Sequence, residues 1–492
     1  MAISEIHRDI QEGKTTARQV LDGCLKRIKA LDRGELGVNA VLTLNEEDAD
    51  MRAAAVDDKV KRGERIGILE GIPMGIKDVF CTKGLRSTAA SKTLDNYIPP
   101  YDATAVKKLK KAGVVIAAKT NCDEFAHGAS GENSAYGPTR NPLDLERVAG
   151  GSSSGSGAIV AYKGAIAALG SDTGGSVRAP ASFMGLVGLK PTYGRISRYG
   201  LMAMSSSVDT VGPIANLVED VAIILQEICG KDSRDATSFG MAGKNFTRDF
   251  SQGIKGLKIA YPKEAIQDGL DEKVKKIFFE NIEKLRREGA KITEITMPLF
   301  GEPALAAYYI IVPSEISSNL ARYDGILYGK ASQSGNGLKD FYTKTRTRFL
   351  GQEAKRRIML GNFSLSSGYY DAYYNKAQKV RRLMQEEARK VFEEYDLIFT
   401  PTMTGPAFKL GEKLDPLAMY LVDLYSVYAN MTGVCAVSLN GGWIENQSEG
   451  IHTTPNHKNI KGLPVGVQLM AKWWDEETLL RAAYGLEQLT EK

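Results

Sequence analysis

From about Gly67 onward, short apolar runs of strand length alternate with glycine-rich turns and with stretches of helical periodicity. The runs are Ile72 to Ile76, Val114 to Ala118, Ala165 to Leu169, Leu257 to Tyr261 and Leu397 to Thr400. Helical patterns such as Ala105 to Ala112 and Leu217 to Ile228 lie between them. That alternation predicts an α/β fold, a sheet with helices on both faces.

Ahead of it, Thr16 is a predicted N-cap, and Val20, Leu21, Cys24, Leu25 and Ile28 follow at helical spacing. Glu47 to Arg62 reads as another helix, so residues 1–65 form a helical N-terminal part in this reading. Asp271 to Gly289 and Tyr369 to Tyr395 read as long amphipathic helices. In the second, Ala377, Val380, Leu383, Met384, Ala388, Val391 and Phe392 form a stripe expected to face the core. Trp443 to Lys461 is polar and is expected to be a surface loop or a short hairpin extension. No linker or internal repeat interrupts the chain, so residues 1–492 read as one domain with 443–461 as an insertion.

Composition narrows the function classes. The 64 basic and 59 acidic residues nearly balance at +5 over 492 residues, which does not argue for a nucleic-acid-binding surface. Cys24, Cys81, Cys122, Cys229 and Cys435 are scattered, odd in number and never in C-x-x-C spacing. Neither a disulfide framework nor a zinc site is expected, and no metal is assigned. The N-terminus lacks an apolar targeting region and no run approaches membrane-spanning length, so the expectation is a soluble, cytoplasmic protein.

The chemistry gathers in two glycine- and serine-rich runs, Gly150 to Gly157 and Gly170 to Pro180, separated by one short apolar stretch. A phosphate loop requires a lysine that neither run supplies in register, and the dinucleotide fingerprint lacks its third glycine. A nucleophilic serine fits better. Thr173-Gly174-Gly175-Ser176 offers backbone amides that can turn toward a developing oxyanion, and a short helix is expected from Ser176 through Met184. Gly151-Ser152-Ser153-Ser154-Gly155 matches the G-x-S-x-G elbow literally, but no clear strand leads into it. Of four histidines only His127 has a central context, so a Ser-His-Asp triad is weakly supported. Lys77, inside the apolar run Gly71 to Val79, is the better base, because burial beside serines would lower its pKa.

Lys77 in Gly75-Ile76-Lys77-Asp78, Gly150-Gly151-Ser152-Ser153 and Gly170 to Arg178 together resemble the amidase signature family, three motifs in order. The resemblance implies an amidase-signature fold with a large mixed sheet, Ser176 as nucleophile, and Ser152, on a cis peptide, relaying protons to Lys77. It also implies an oxyanion hole from the amides of Thr173, Gly174, Gly175 and Ser176. Over nearly the whole chain the sequence is most similar to the glutamine-hydrolysing subunits of tRNA-dependent amidotransferases. The likeness runs through Lys190 to Arg195, Tyr308 to Ile311, Lys355 to Ile358, Ser366 to Tyr374 and Asp415 to Tyr420. Such subunits hold glutamine with a tyrosine, an arginine and an aspartate, which fall on Tyr308, Arg357 and Asp423, with Tyr309 and Arg356 one residue away. The same resemblance implies a B-type partner subunit carrying ATP, magnesium and most of the tRNA contact, and a small C-type subunit. The sequence departs from those subunits at Ser154 to Gly157, at Met431 to Gly441 and in the length of 443–461. The rival reading is a stand-alone amidase acting on small aliphatic or aryl amides, against which the Tyr308, Arg357 and Asp423 set argues.

Overall fold

The computed structural model describes residues 2–34, 37–240, 245–267, 269–332, 336–413, 415–445 and 462–490. Thirteen strands occur among the described residues: Val41–Leu44 (β1), Pro73–Lys77 (β2), Val115–Thr120 (β3), Arg140–Asn141 (β4), Asp144–Val148 (β5), Ala167–Asp172 (β6) and Val187–Lys190 (β7), followed by Thr210–Ala215 (β8), Lys258–Pro262 (β9), Lys291–Ile295 (β10), Leu397–Pro401 (β11), Cys435–Glu445 (β12) and Gly462–Ala471 (β13). Eleven form one mixed sheet in the order β1-β3-β2-β6-β8-β7-β12-β13-β11-β9-β10, and β4 and β5 make a separate ribbon. Helices cover the sheet on both faces, which is why β2, β3, β6, β7, β8 and β11 are buried at every residue.

All five predicted apolar runs become strands of this sheet, their ends displaced by up to three residues. The predicted helices form too, as Ala17–Leu31, Glu46–Lys61, Thr104–Lys111, Val218–Ile228 and Glu272–Arg287. Thr16 caps the first of these, its hydroxyl accepting the Gln19 N–H at 3.0 Å. Three expectations change. Residues 1–65 are not wholly helical, because β1 lies among them and joins the sheet edge against β3. Only four residues long, β1 is too short to show a period against the helices around it. The segment 369–395 begins with a π-helical turn, Asp371–Asn375, before the α-helix Lys376–Glu394. Leu383 turns outward and is 52% exposed, while Ala377, Met384 and Ala388 are buried. Of the polar segment, Trp443 to Glu445 extend β12 and pair with Gly462 to Pro464 of β13, as in a hairpin extension. Its remainder, 446–461, lies outside the described residues.

The sheet sets the site at one strand end. β2 and β6 run parallel, with Met74 opposite Ala167 and Ile76 opposite Leu169. Their carboxyl ends therefore bring Lys77 beside Ser171 and Asp172, the place where open α/β sheets leave a crevice.

Candidate active site

Lys77 is fully buried and its Nζ donates to Ser152 Oγ at 2.7 Å and to Ser171 Oγ at 2.8 Å. Burial, against weaker opposition from the carboxylates of Asp123, Asp172 and Asp209, lowers its pKa to about 8. About one-tenth of the amine is then neutral at pH 7, far more than for an ordinary lysine, and that fraction can accept a proton. Ser152 follows a cis Gly151–Ser152 peptide and opens the turn into the helix Ser154–Ala161. Ser176 stands on the neighbouring run. Ser153 N–H donates to the Ser176 carbonyl at 3.1 Å, which fixes the two serine runs side by side. Lys77 and Ser152 are sealed off at 0% exposure, whereas Ser176 is 7% exposed and its Oγ has no hydrogen-bond partner among the described residues. A buried amine bonded to one buried hydroxyl thus stands near a second, partly accessible hydroxyl on the neighbouring serine run.

The loop from Asp172 to Arg178 is fixed by its first residue. The Asp172 carboxylate accepts N–H groups from Gly175 at 3.0 Å and Val177 at 3.1 Å, and pairs with Arg178 at 2.9 Å. Burial works to raise the Asp172 carboxyl, but Arg178, Lys190 and Asn430 outweigh it and hold it well below the ordinary carboxylate range. One consequence departs from expectation. The Gly175 amide, assigned to the oxyanion hole with the others, is already committed to Asp172, because a carboxylate at this turn takes the nearest inward N–H. The amides of Thr173, Gly174 and Ser176 have no partner among the described residues. Gly175 sits at φ 123°, a conformation that favours glycine, and a methyl group at Gly174 would collide with the Tyr308 hydroxyl. The predicted short helix is Arg178–Met184, seven residues.

The other sequence-predicted residues converge on the same loop. Ser426 Oγ bonds the Gly174 carbonyl and, at 3.1 Å, the carbonyl of Asp423, so Asp423 is carried up to the serine loop. Tyr308 points its hydroxyl at Gly174, and Tyr309 donates to Asp423 Oδ2 at 2.8 Å; the two tyrosines left as alternatives thus both reach the site. Burial raises the Asp423 carboxyl to about 6, against pulls from Tyr309 and Arg357. Arg357 is 3% exposed, with its guanidinium 5.5 Å from the Tyr309 ring and 5.7 Å from the Tyr420 ring. Only its Nε is hydrogen-bonded among the described residues, to Glu353 at 2.8 Å. Arg356 faces outward, 43% exposed along its side chain. Of the two arginines, it is Arg357 that turns inward toward the tyrosines.

Other readings fall away on position. Ser153, the centre of the G-x-S-x-G match, is buried and donates to the Ser171 carbonyl at 3.2 Å. A strand does precede it, β5, but that strand belongs to the small ribbon, not to the main sheet. His127 is bonded to none of the serines. Sequence reasoning missed Ser171, Glu353, Tyr420 and Ser426. Two of these had a signal: Ser171 stands inside the second glycine–serine run, and Tyr420 ends the Asp415 to Tyr420 stretch of likeness. No group of three or more metal-ligating side chains occurs among the described residues, and no helix there is long and apolar enough to cross a membrane.

Residues 19–480 match the Amidase family profile. The glutamyl-tRNA(Gln) amidotransferase A subunit from Geobacter metallireducens is 47% identical, covering 100% of this chain and 97% of its own. The crystal structure of the corresponding A subunit from Thermotoga maritima, also of a glutamyl-tRNA(Gln) amidotransferase, superposes with a TM-score of 0.80 at 39% identity, covering 100% of this chain and 95% of that one. A peptide amidase from Stenotrophomonas maltophilia superposes at 0.82 with 30% identity, covering 100% and 97%. The similarity spans the lysine, both serine runs and the residues around them, and the chain therefore belongs to the amidase family of enzymes.

Proposed function

We propose that this chain is the glutamine-hydrolysing subunit of a tRNA-dependent amidotransferase and works by a Ser-Ser-Lys mechanism. In this reading, neutral Lys77 draws a proton from Ser152, Ser152 draws one from Ser176, and Ser176 Oγ attacks the side-chain carboxamide carbon of glutamine. The amides of Thr173, Gly174 and Ser176 hold the oxyanion. Collapse breaks the C–N bond, and the leaving nitrogen takes its proton by way of Ser152 and departs as ammonia. Water then hydrolyses the γ-glutamyl ester, releasing glutamate and regenerating Ser176.

The observation that carries the substrate choice is the pair of opposite charges beside the serine loop. Arg357 has its two terminal nitrogens uncommitted among the described residues, and Asp423 is presented on Tyr309. A guanidinium and a carboxylate that share Tyr309 as a neighbour suit the α-carboxylate and α-ammonium of a free amino acid, and a simple amide has neither group. Full-length likeness to two glutamyl-tRNA(Gln) amidotransferase A subunits supports the same choice. Ammonia would pass to a B-type partner that binds ATP, magnesium and the acceptor, Glu-tRNA(Gln) or Asp-tRNA(Asn), with a small C-type subunit completing a cytoplasmic heterotrimer. Mass identification of copurifying chains tests the assembly. Glutamate release from glutamine tests the chemistry: Ser176→Ala should abolish it in a folded protein, and near-normal turnover would refute the assignment.

A further inference from the structure

Arg357 has a neighbour that the serine chemistry leaves unused. His127 is completely buried, and neither ring nitrogen has a hydrogen-bond partner among the described residues. Taking an imidazole out of water without replacing its hydrogen bonds is unfavourable, so bare buried nitrogens call for a ligand or a cause. The ring is firmly placed. It follows Phe125 and Ala126, which adopt left-handed φ values of 48° and 65°. Its backbone N–H donates to the Glu124 carbonyl at 2.9 Å, and its carbonyl accepts from Asn133 Nδ2 at 3.1 Å. The Asp123 carboxylate holds the same loop through the N–H groups of Gly131 at 3.1 Å and Asn133 at 2.8 Å.

That loop touches both halves of the site. On the relay side, the Ala129 carbonyl accepts Gly151 N–H at 2.7 Å and Asp123 N–H donates to the Ser152 carbonyl at 3.2 Å. On the other side, Glu124 Oε2 accepts the Gly351 N–H at 2.8 Å, immediately ahead of the helix Gln352–Leu365 that carries Arg357. A side chain at Gly351 would meet the Glu124 carboxylate, which would have to shift. Burial first, and then the Arg357 charge, hold the His127 ring well below its ordinary pKa. A neutral imidazole keeps one N–H donor and one lone pair. The two terminal nitrogens of Arg357 are uncommitted among the described residues, and the His127 ring, which feels the Arg357 charge, adds an unpaired N–H donor on that side of the site; such a set suits an anion.

We propose that His127 is a substrate-binding residue: a ring N–H donates to the α-carboxylate of the amino-acid amide seated on Arg357. The proposal rests on the reading of Arg357 given above. Two side chains, not one, then recognise the carboxylate.

The test compares glutamine and a small neutral amide, propionamide, on the full chain. His127→Phe keeps the ring shape and removes both nitrogens, and His127→Gln restores an N–H. Losing a hydrogen bond to a charged group should raise KM for glutamine roughly 10- to 100-fold in His127→Phe. The value of kcat and the use of propionamide should hold, and His127→Gln should recover much of the loss. A packing role would affect both amides alike. A second measurement does not depend on the phenylalanine variant folding. In histidine-labelled Ser176→Ala protein, glutamine should shift the His127 ring signal, assigned by its disappearance in His127→Gln, and slow its N–H exchange. If Arg357→Ala loses glutamine while His127→Phe keeps it and the ring signal stays put, the proposal is overturned and the clamp survives. If Arg357→Ala also uses glutamine normally, the clamp falls and takes this proposal with it.

Discussion

Replacing Arg357 separates an amino-acid amidase from a general one. Its guanidinium is buried against Tyr309 and Tyr420, with only Nε tied to Glu353. In Arg357→Ala, a bound α-carboxylate would face two aromatic rings without a counter-charge. Breaking one partner of a desolvated charge pair costs roughly 2–5 kcal/mol, which is about 30- to 5,000-fold in kcat/KM. Glu353 is not stranded by the change, because Arg356 still pairs with it and the Tyr420 hydroxyl donates to it at 3.3 Å. The pocket itself should therefore survive, and the loss should fall on glutamine alone. Arg356→Ala is the internal control. It removes one exposed ion pair worth about 0–1 kcal/mol, less than about sixfold. The assay is kcat/KM for glutamine and for propionamide in wild type and both variants. The glutamine-to-propionamide ratio should drop at least about 30-fold in Arg357→Ala and stay within about sixfold in Arg356→Ala. A ratio unmoved by Arg357→Ala refutes the clamp and favours a stand-alone amidase. A larger drop in Arg356→Ala would show that the outward arginine turns in when substrate binds.

Lys77, with its pKa near 8, acts as a base only when neutral. The kcat/KM for propionamide should therefore rise with pH, about tenfold per unit at low pH, and level off above about 8. Lys77→Ala should remove that limb and cost at least about 100-fold, and a loss under about threefold would point to another base. Asp423, near 6, holds an ammonium only when ionised, so KM for glutamine should climb as pH falls through about 6. Asp423→Asn should raise KM at every pH and erase that dependence, and a surviving dependence would assign it elsewhere. Gly174→Ala should lower kcat by about 10- to 1,000-fold through the Tyr308 collision beside the oxyanion amides, and unchanged turnover would move the oxyanion site.

The α/β alternation and the Lys77, Ser152 and Ser176 motifs were legible in the amino-acid sequence alone. Strand runs and helical periods are local properties of the chain, and most of their ends were legible within a few residues. Lys77, Ser152 and Ser176 stand in motifs whose glycines and serines have little other use in a core. The amidase-signature resemblance set them in order, and the geometry brought Lys77 to Ser152 at 2.7 Å. The tertiary structure decided the rest, for reasons a linear pattern does not contain. Arg356 and Arg357 sit about 100° apart around one helix, and only packing against Tyr309 and Tyr420 shows which of them turns inward. Tyr308 and Tyr309 divide the same way, one to Gly174 and one to Asp423. The commitment of the Gly175 amide to Asp172 depends on a turn three residues long. The four-residue β1 is a strand only because β3 offers it an edge. His127 carries no pattern of its own in the sequence; that its ring is buried without a hydrogen-bond partner among the described residues is a property of the folded loop.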